Sequence, residues 1–429
     1  MAAAGGSSKS TAQKAPIIPK SAPKCKPGRP RNQNKHFTKQ LISLLSSATS
    51  AAHSFLTQND LLLLPSQSLS LEYFLSSIPF SPSPSLSPPS QSFFYRLLSS
   101  ASDFDPRWCQ IFRMSKQTFT SLLSLLSPSL LSFLPSSIPP DSAIAATLFR
   151  LAHGASYESV APRFGLDSPA AACLAFYSVC KTVNEKLGDL VDFGRDLERI
   201  VMGFEWISLP NCCGVLGFGK FGVDSELLGK NGSLLVQALV DSEGRFLDIS
   251  AGWPCTMKPE SIFTQTKLYS RVEGSRELLN GACYQLSESN SIPQYILGDS
   301  CFPLLPWLLT PFIRPNEEDS FGSAEREFNA AHSRAMGLVG NAFGRVKARW
   351  QLLARRWKED CVEIFPFVIV MGCLLHNFLI KYSEPLPEES VGRILREEEL
   401  PVFEGEADER GERTRYALAK HLSWVSMRR

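Results

Sequence analysis

Acid is missing where base is plentiful. The first carboxylate in the chain is Asp60, and nine lysines and arginines precede it. Another acid-free window runs from Asn329 to Lys358. The cysteines, eleven in all, contain no C-x-x-C pair, and the six histidines are equally scattered. That spacing excludes a zinc ribbon or a disulfide framework and suits buried thiols in a reducing compartment. No run of 18 apolar residues occurs. The longest candidate, FPFVIVMGCLLHNFLI (365–380), holds His376 and Asn377 and reads as core, so no membrane association is expected. The start, MAAAGGSSKS, has no apolar signal-peptide centre.

What is present is uneven. The 429 residues carry a net charge of only +2, but residues 1–36 are basic and rich in Pro, Ser and Ala, while the far end turns acidic with Glu397, Glu398, Glu399, Glu404, Glu406, Asp408 and Glu409. Both termini are expected to be disordered. Within the basic stretch, KCKPGRPRNQNK has an extended Gly-Arg-Pro centre. Arg29 and Arg31 could enter an A·T-rich minor groove there, with the lysines on phosphates. The AT-hook match is partial, because Pro27 precedes the glycine. A nuclear-import patch, a solvated tail and an organelle transit peptide compete for the same residues. SPSPSLSPPS (81–90) is a stiff linker, and ordered structure is expected from about Phe104.

Helical spacing follows over 108–126, with Ser115 as a candidate N-cap. SAIAATLFRLAHG (142–154), YESVAPRFG (157–165) and a third helix opened by Ser168-Pro169 form a helix-turn-helix-like pattern. The third helix offers only Lys181 and Asn184 for reading bases, so a plain packing unit is the stronger reading. From 206 the pattern becomes short apolar runs between turn signals. GVLGFGKFG (214–222) fits G-x-G-x-x-G, but no crossover helix can fit between Gly222 and Ser233, so a nucleotide site is rejected in favour of an antiparallel connection. Three strands in a meander, a helical interlude, a strand QYILGDS (294–300) and two long helices near 324–355 and 359–382 give the order of a ribonuclease-H-like nuclease core. Such cores hold two divalent ions on three carboxylates.

Here the chain resembles the PIF/Harbinger transposases and the plant proteins derived from them, over about 108–382. FRMSKQTF, LFRLAHGASYESVAPRFGL, SAGWPCTMKPESIFTQTKLY, ILGDSCFPLLPWLLTPF, EREFNAAHSRAMGLVGNAFGRVKARWQLL and CLLHNFL carry the resemblance, with a weaker echo in RTRYALAKHLSW. It implies an α+β fold: a ribonuclease-H-like DDE core over 206–383, preceded by a helical helix-turn-helix-like domain over 104–205. Residues 1–103 form the N-terminal region, and 384–429 an acidic tail with a short helix. It also implies magnesium or manganese and three acids. Asp299 keeps one. Gly217 stands where the first-strand Asp belongs, Gly340 where the helix Glu belongs, and Pro259 at a further acid position. Asp224, Glu226, Asp241, Glu325 and Glu327 lie out of register as substitutes, so no bound metal is expected, with Asp299 its one candidate ligand and otherwise a cap for its own turn.

With cleavage removed, binding can remain. Arg345, Lys347, Arg349, Arg355, Arg356 and Lys358, interleaved with Trp350 and Trp357, read as a stripe for non-specific DNA contact, or as a solvated face opposite the acidic tail. Gly337, Gly340 and Gly344 are read either as close-packing positions or as relics of lost selection. The expected function is a catalytically inactive, domesticated transposase that acts in the nucleus as a chromatin- or DNA-associated or protein-interaction factor. By resemblance, its partners are a Myb-like or trihelix protein, or a histone-modifying complex. The rival is a metal-dependent nuclease with substitute carboxylates.

Overall fold

A computed structural model describes residues 74–79, 92–224, 228, 232–274, 278–287, 290–314, 320–358, 362–385 and 400–428. Arg29, Arg31, Glu226 and the expected N-terminal disorder lie outside them. All described residues belong to one compact unit, Leu44–Arg429.

The first half is helical. Helices α1 (Phe93–Ser100), α2 (Pro106–Phe112) and α3 (Lys116–Phe133) wrap an aromatic nucleus in which Phe94, Trp108, Phe112 and Phe119 touch one another and Phe164 closes the cluster. Arg113 adopts a left-handed conformation at φ 60° and separates α2 from α3. Ser115 then caps α3 through its hydroxyl on the Thr118 N–H. Glu384, far along the chain, completes this cap. Its Oε1 accepts from the Ser115 N–H at 3.0 Å, from the Ser115 hydroxyl at 2.5 Å and from the Thr118 hydroxyl.

Helices α4 (Pro140–His153), α5 (Tyr157–Arg163) and α6 (Pro169–Leu187) follow, then α7 (Leu197–Glu205). The polar pair on α6 reads no bases. Lys181 is buried and ion-paired with Glu185 at 3.0 Å, and the buried Asn184 donates to the Phe367 carbonyl at 3.1 Å. This third helix is a packing element against the sheet domain.

The sheet has five strands in the order β3-β2-β1-β6-β7. β1 (Cys212–Gly222), β2 (Ser233–Val240) and β3 (Phe246–Pro254) form an antiparallel meander. β6 (Tyr295–Gly298) joins β1 in parallel, and the two-residue β7 (Leu308–Leu309) extends the edge. The connection from Gly222 to Ser233 is antiparallel, as its shortness requires. A helix α8 (Pro259–Thr264) and a separate hairpin of β4 (Tyr284–Ser287) and β5 (Asn290–Ile292) fill the interval before β6.

Two long helices cover the meander. α9 (Ser323–Arg349) crosses β1, and α10 (Phe365–Lys381) packs on β3 and on α6. With its preceding turn, α10 is apolar and long enough to span a membrane, but 89% of that stretch is buried inside the protein. His376 and Asn377 are satisfied there. The His376 ring bonds the Gly244 carbonyl at 3.0 Å, and Asn377 bonds both the N–H and the carbonyl of Phe246. The last helix, α11 (Glu409–Met427), lies against α9. Buried side chains of the helical half and of the sheet merge into one continuous core.

Candidate functional site

Side chains alternate across a strand, so β1 presents two different faces. Val215, Gly217, Gly219 and Phe221 face α9. A Cβ at Gly219 would sit 2.7 Å from the Phe343 ring, and one at Gly217 would sit 3.1 Å from Val339 Cγ1 and 3.5 Å from Met336 Cε. The opposite face carries Phe218, stacked on Phe302 at 5.1 Å, and Phe302 in turn meets Phe263 edge-on at 5.3 Å. Gly217 and Gly219 of the apparent nucleotide motif therefore serve close approach of a helix to a strand, while Gly222 lies against Arg356.

The parallel pairing brings the first two site positions together. Leu216 is opposite Gly298, and the Asp299 N–H donates to the Leu216 carbonyl at 3.3 Å. Gly217 and Asp299 are the next residues on adjacent strands. α9 closes over them: His332 bonds the Gly298 carbonyl at 2.8 Å, and Val339 touches Gly217. Burial holds the His332 imidazole below its ordinary range, opposed by that carbonyl and by the negative charge of Asp299. Gly340 follows Val339 on the same helix but turns outward. It is exposed, and a Cβ there would meet nothing within 4 Å. Gly337 is equally open, so close packing accounts for neither glycine.

Asp299 is half-buried and occupied locally. Its Oδ1 accepts from the Ser300 N–H at 2.7 Å and faces the Ser300 hydroxyl at 3.4 Å, which caps the turn after β6. The other acids are engaged elsewhere. Asp241 is not the solvated turn acid its sequence context suggests; it is buried and holds the β2–β3 turn through the N–H groups of Glu243 and Arg245 and the Arg245 side chain. Asp224 lies past the end of β1, where its N–H pairs with the Trp357 carbonyl. Glu325 pairs with Arg314 at 2.8 Å at the start of α9. Burial first, then the negative charge of Asp299 and more weakly that of Glu260, push the Cys301 thiol up, and Glu260 pairs with Lys258 at 3.8 Å. The resemblance places the further family acid at Pro259, one position before Glu260.

Two divalent ions need several charged oxygens. Two of the three expected ligand positions are glycines here, one pressed by Val339 and one open to solvent. Among the described residues, no three His, Cys, Asp or Glu side chains gather as a metal site. These residues do not fit a two-ion pocket.

The proposed DNA stripe also divides once its surroundings are known. Arg349 does not face outward. It is buried and donates to the carbonyls of Arg113 and, at 2.7 Å, Pro385. Burial brings its guanidinium down to about 10. Trp350 and Trp357 are core residues, the latter stacked on Phe365 at 4.4 Å. Lys347 is half-buried, bonded to the Lys220 carbonyl and lying over Phe221 at 4.8 Å. Arg345 is half-buried, and Arg355, Arg356 and Lys358 are exposed. Arg355 donates to the Gly154 carbonyl, and Arg356 to those of Val223 and Gly232. Charge spacing alone could not tell which cations would be drawn inward to backbone carbonyls.

A mixed sheet whose parallel strand ends in an acid, under a long covering helix, has the parts of a nuclease-type domain. Residues 226–377 match the DDE superfamily endonuclease family, starting beyond Gly217. The chain is 31% identical over 303 residues to an Arabidopsis thaliana protein named ALP1-like, covering 65% of this chain and 72% of that protein. It is 29% identical over 313 residues to the Arabidopsis thaliana Antagonist of Like Heterochromatin Protein 1, covering 67% and 76%. The Homo sapiens putative nuclease HARBI1 is 22% identical over 261 residues, covering 57% and 69%. No solved structure matches the chain. The chain belongs to the Harbinger transposase-derived DDE family. DDE nucleases normally use divalent metals.

Proposed function

We propose that this protein is a domesticated Harbinger-type transposase whose ribonuclease-H-like core no longer cuts DNA, and that it works in the nucleus as a chromatin- or DNA-associated binding factor. One observation carries the proposal. Gly217 lies beside Asp299 under α9 with no carboxylate to offer, and the position of the third acid, Gly340, is a bare backbone facing solvent. A solitary carboxylate that already caps its own turn cannot hold a pair of magnesium or manganese ions against water. The name of one relative, an antagonist of a heterochromatin protein, supports a chromatin setting. A Myb-like or trihelix protein, or a histone-modifying complex, is the kind of partner that fits this reading, and Arg355, Arg356 and Lys358 are the cations of the stripe that stay exposed for non-specific phosphate contact, the two arginines while also bonded to backbone carbonyls.

Nicking of a supercoiled plasmid tests the loss of chemistry. No nicking is expected with magnesium or manganese. Metal-dependent nicking that disappears in Asp299→Ala would establish the rival, a nuclease with substitute carboxylates such as Glu260. Paired manganese ions in a soaked crystal would do the same. Fusing residues 1–40 to a fluorescent reporter tests the location: nuclear accumulation is expected, and plastid import would reject it.

A further inference from the structure

We propose that the outer face of α7, with the turn that follows it, docks a lysine- or arginine-rich segment of a partner protein. The inner face of this helix is fixed. Ile200 and Phe204 are buried, and Gly203 lies so close to the Ser242 side chain that a Cβ there would clash with it. The chain then turns sharply. The Phe204 carbonyl accepts from the N–H groups of Ile207 at 3.1 Å and Leu209 at 3.0 Å, and Ser208 takes a left-handed conformation at φ 69°. Helix and turn together make a rigid mount.

What they present outward is apolar. Trp206 is 84% exposed, more than any other large apolar side chain among the described residues, and Met202 is 56% and Ile207 45% exposed. At 100° per residue, Glu198, Met202, Glu205 and Trp206 share a stripe about 100° wide, and the two glutamates stand about 10 Å apart along the axis. Tryptophan and methionine are among the residues that protein interfaces favour.

Charge selects the occupant. Between Asp189 and Trp206 five acids outnumber two bases. Both bases are already held, Arg195 by Asp192 at 3.7 Å and Arg199 by Glu243 at 3.1 Å. Glu198 and Glu205 are exposed and, among the described residues, neither is ion-paired. Such a face repels a nucleic acid or an anionic membrane. A second copy docked face to face would set the same acidic excess against itself. An uncharged partner would cover the glutamates without offering them a donor. A cationic segment satisfies both parts of the stripe. Its ammonium or guanidinium groups meet the glutamates and the indole, the ring that attracts cations best, while their aliphatic stems cover Met202 and Ile207. The face works in the same way whether or not the core cuts DNA.

Fluorescence anisotropy of a labelled deca-arginine peptide, titrated with the full chain, reads the contact. The patch is small, so a dissociation constant on the order of 10 μM is expected at low salt, weakening as salt is raised. Trp206→Ala should weaken binding about tenfold, and Glu198→Gln combined with Glu205→Gln about fivefold, each with an unchanged urea midpoint because these side chains are exposed. Glu404→Gln combined with Glu406→Gln removes two exposed acids elsewhere and should leave the affinity as it is. An equal loss in that control would mean attraction to acid in general and overturns the proposal. So does a wild type that fails to bind up to about 200 μM, or binding indifferent to Trp206→Ala. Saturable binding of duplex DNA, or a wild-type dimer, lost in Trp206→Ala would give the face to that occupant and overturn the proposal as well.

Discussion

Replacing Gly337 and Gly340 with alanine should stabilise the protein. Both glycines lie inside α9, both are exposed, and a Cβ at either meets nothing within 4 Å. Glycine in an exposed helix interior costs up to about 1 kcal/mol relative to alanine, mostly through the freedom it gives the unfolded chain. With no clash to subtract, the double substitution is worth up to about 2 kcal/mol, or roughly 2 °C in melting temperature for a chain of this size. Urea unfolding followed by circular dichroism reads the change as a shift in midpoint at constant slope. Gly219→Ala is the opposing control. Its Cβ would meet the Phe343 ring at 2.7 Å, so overpacking should cost about 1–3 kcal/mol. If the Gly337/Gly340 pair destabilises instead, the outer side of α9 is covered in the folded protein. The glycines would then be packing residues and not traces of a discarded catalytic helix.

Three further outcomes can be checked by the same method. Arg349→Met should destabilise by about 3 kcal/mol, because it strips the buried Arg113 carbonyl, and the carbonyl of Pro385, of their donor; a loss below about 1 kcal/mol would refute that role. His376 has its imidazole brought down to about 4 by burial, with Arg349 and Arg345 adding to the shift and the Gly244 carbonyl opposing it. Its contribution is therefore intact above the unfolded value of about 6.5 and falls as pH drops toward 4, by about 3 kcal/mol in all; His376→Gln should flatten most of that slope. Phe302→Ala removes a buried ring stacked on Phe218 and set against Phe263, and should cost about 3–4 kcal/mol, read as a lower urea midpoint.

The sequence exposed what depends on local pattern. The meander, the strand before Asp299, the caps at Ser115 and Ser168 and the apolar helix 365–381 all follow from turn chemistry and hydrophobic spacing. The dinucleotide motif was refuted by loop length alone, without coordinates. What escaped depends on distant partners. Nothing in GRVKARW says that Arg349 points inward while Arg345 stays at the surface, because the acceptors are carbonyls at Arg113 and Pro385. The burial of Asp241 depends on distant chain brought to its turn, with Arg199 on Glu243 and His376 on the Gly244 carbonyl. The exposed apolar face of α7 was hidden for the converse reason. LERIVMGFEW has ordinary helical spacing, and only packing shows which ring stays outside. The approach of α8 to the segment after β6, with Phe263 against Phe302 at 5.3 Å, is likewise invisible in linear spacing.

The acid at position 384 has a practical meaning for anyone trimming this protein. Hydrophobic pattern places the end of the core at Lys381, and a protease or a splice junction cutting there would spare every buried apolar side chain of α10. It would nonetheless sever the carboxylate that fastens the start of α3, 269 residues earlier, together with the Pro385 acceptor of Arg349. Such a shortened form should loosen at two places, with amide exchange rising around Ser115 and Thr118 and also along α9, which loses the buried Leu418, Ala419 and Leu422 of α11.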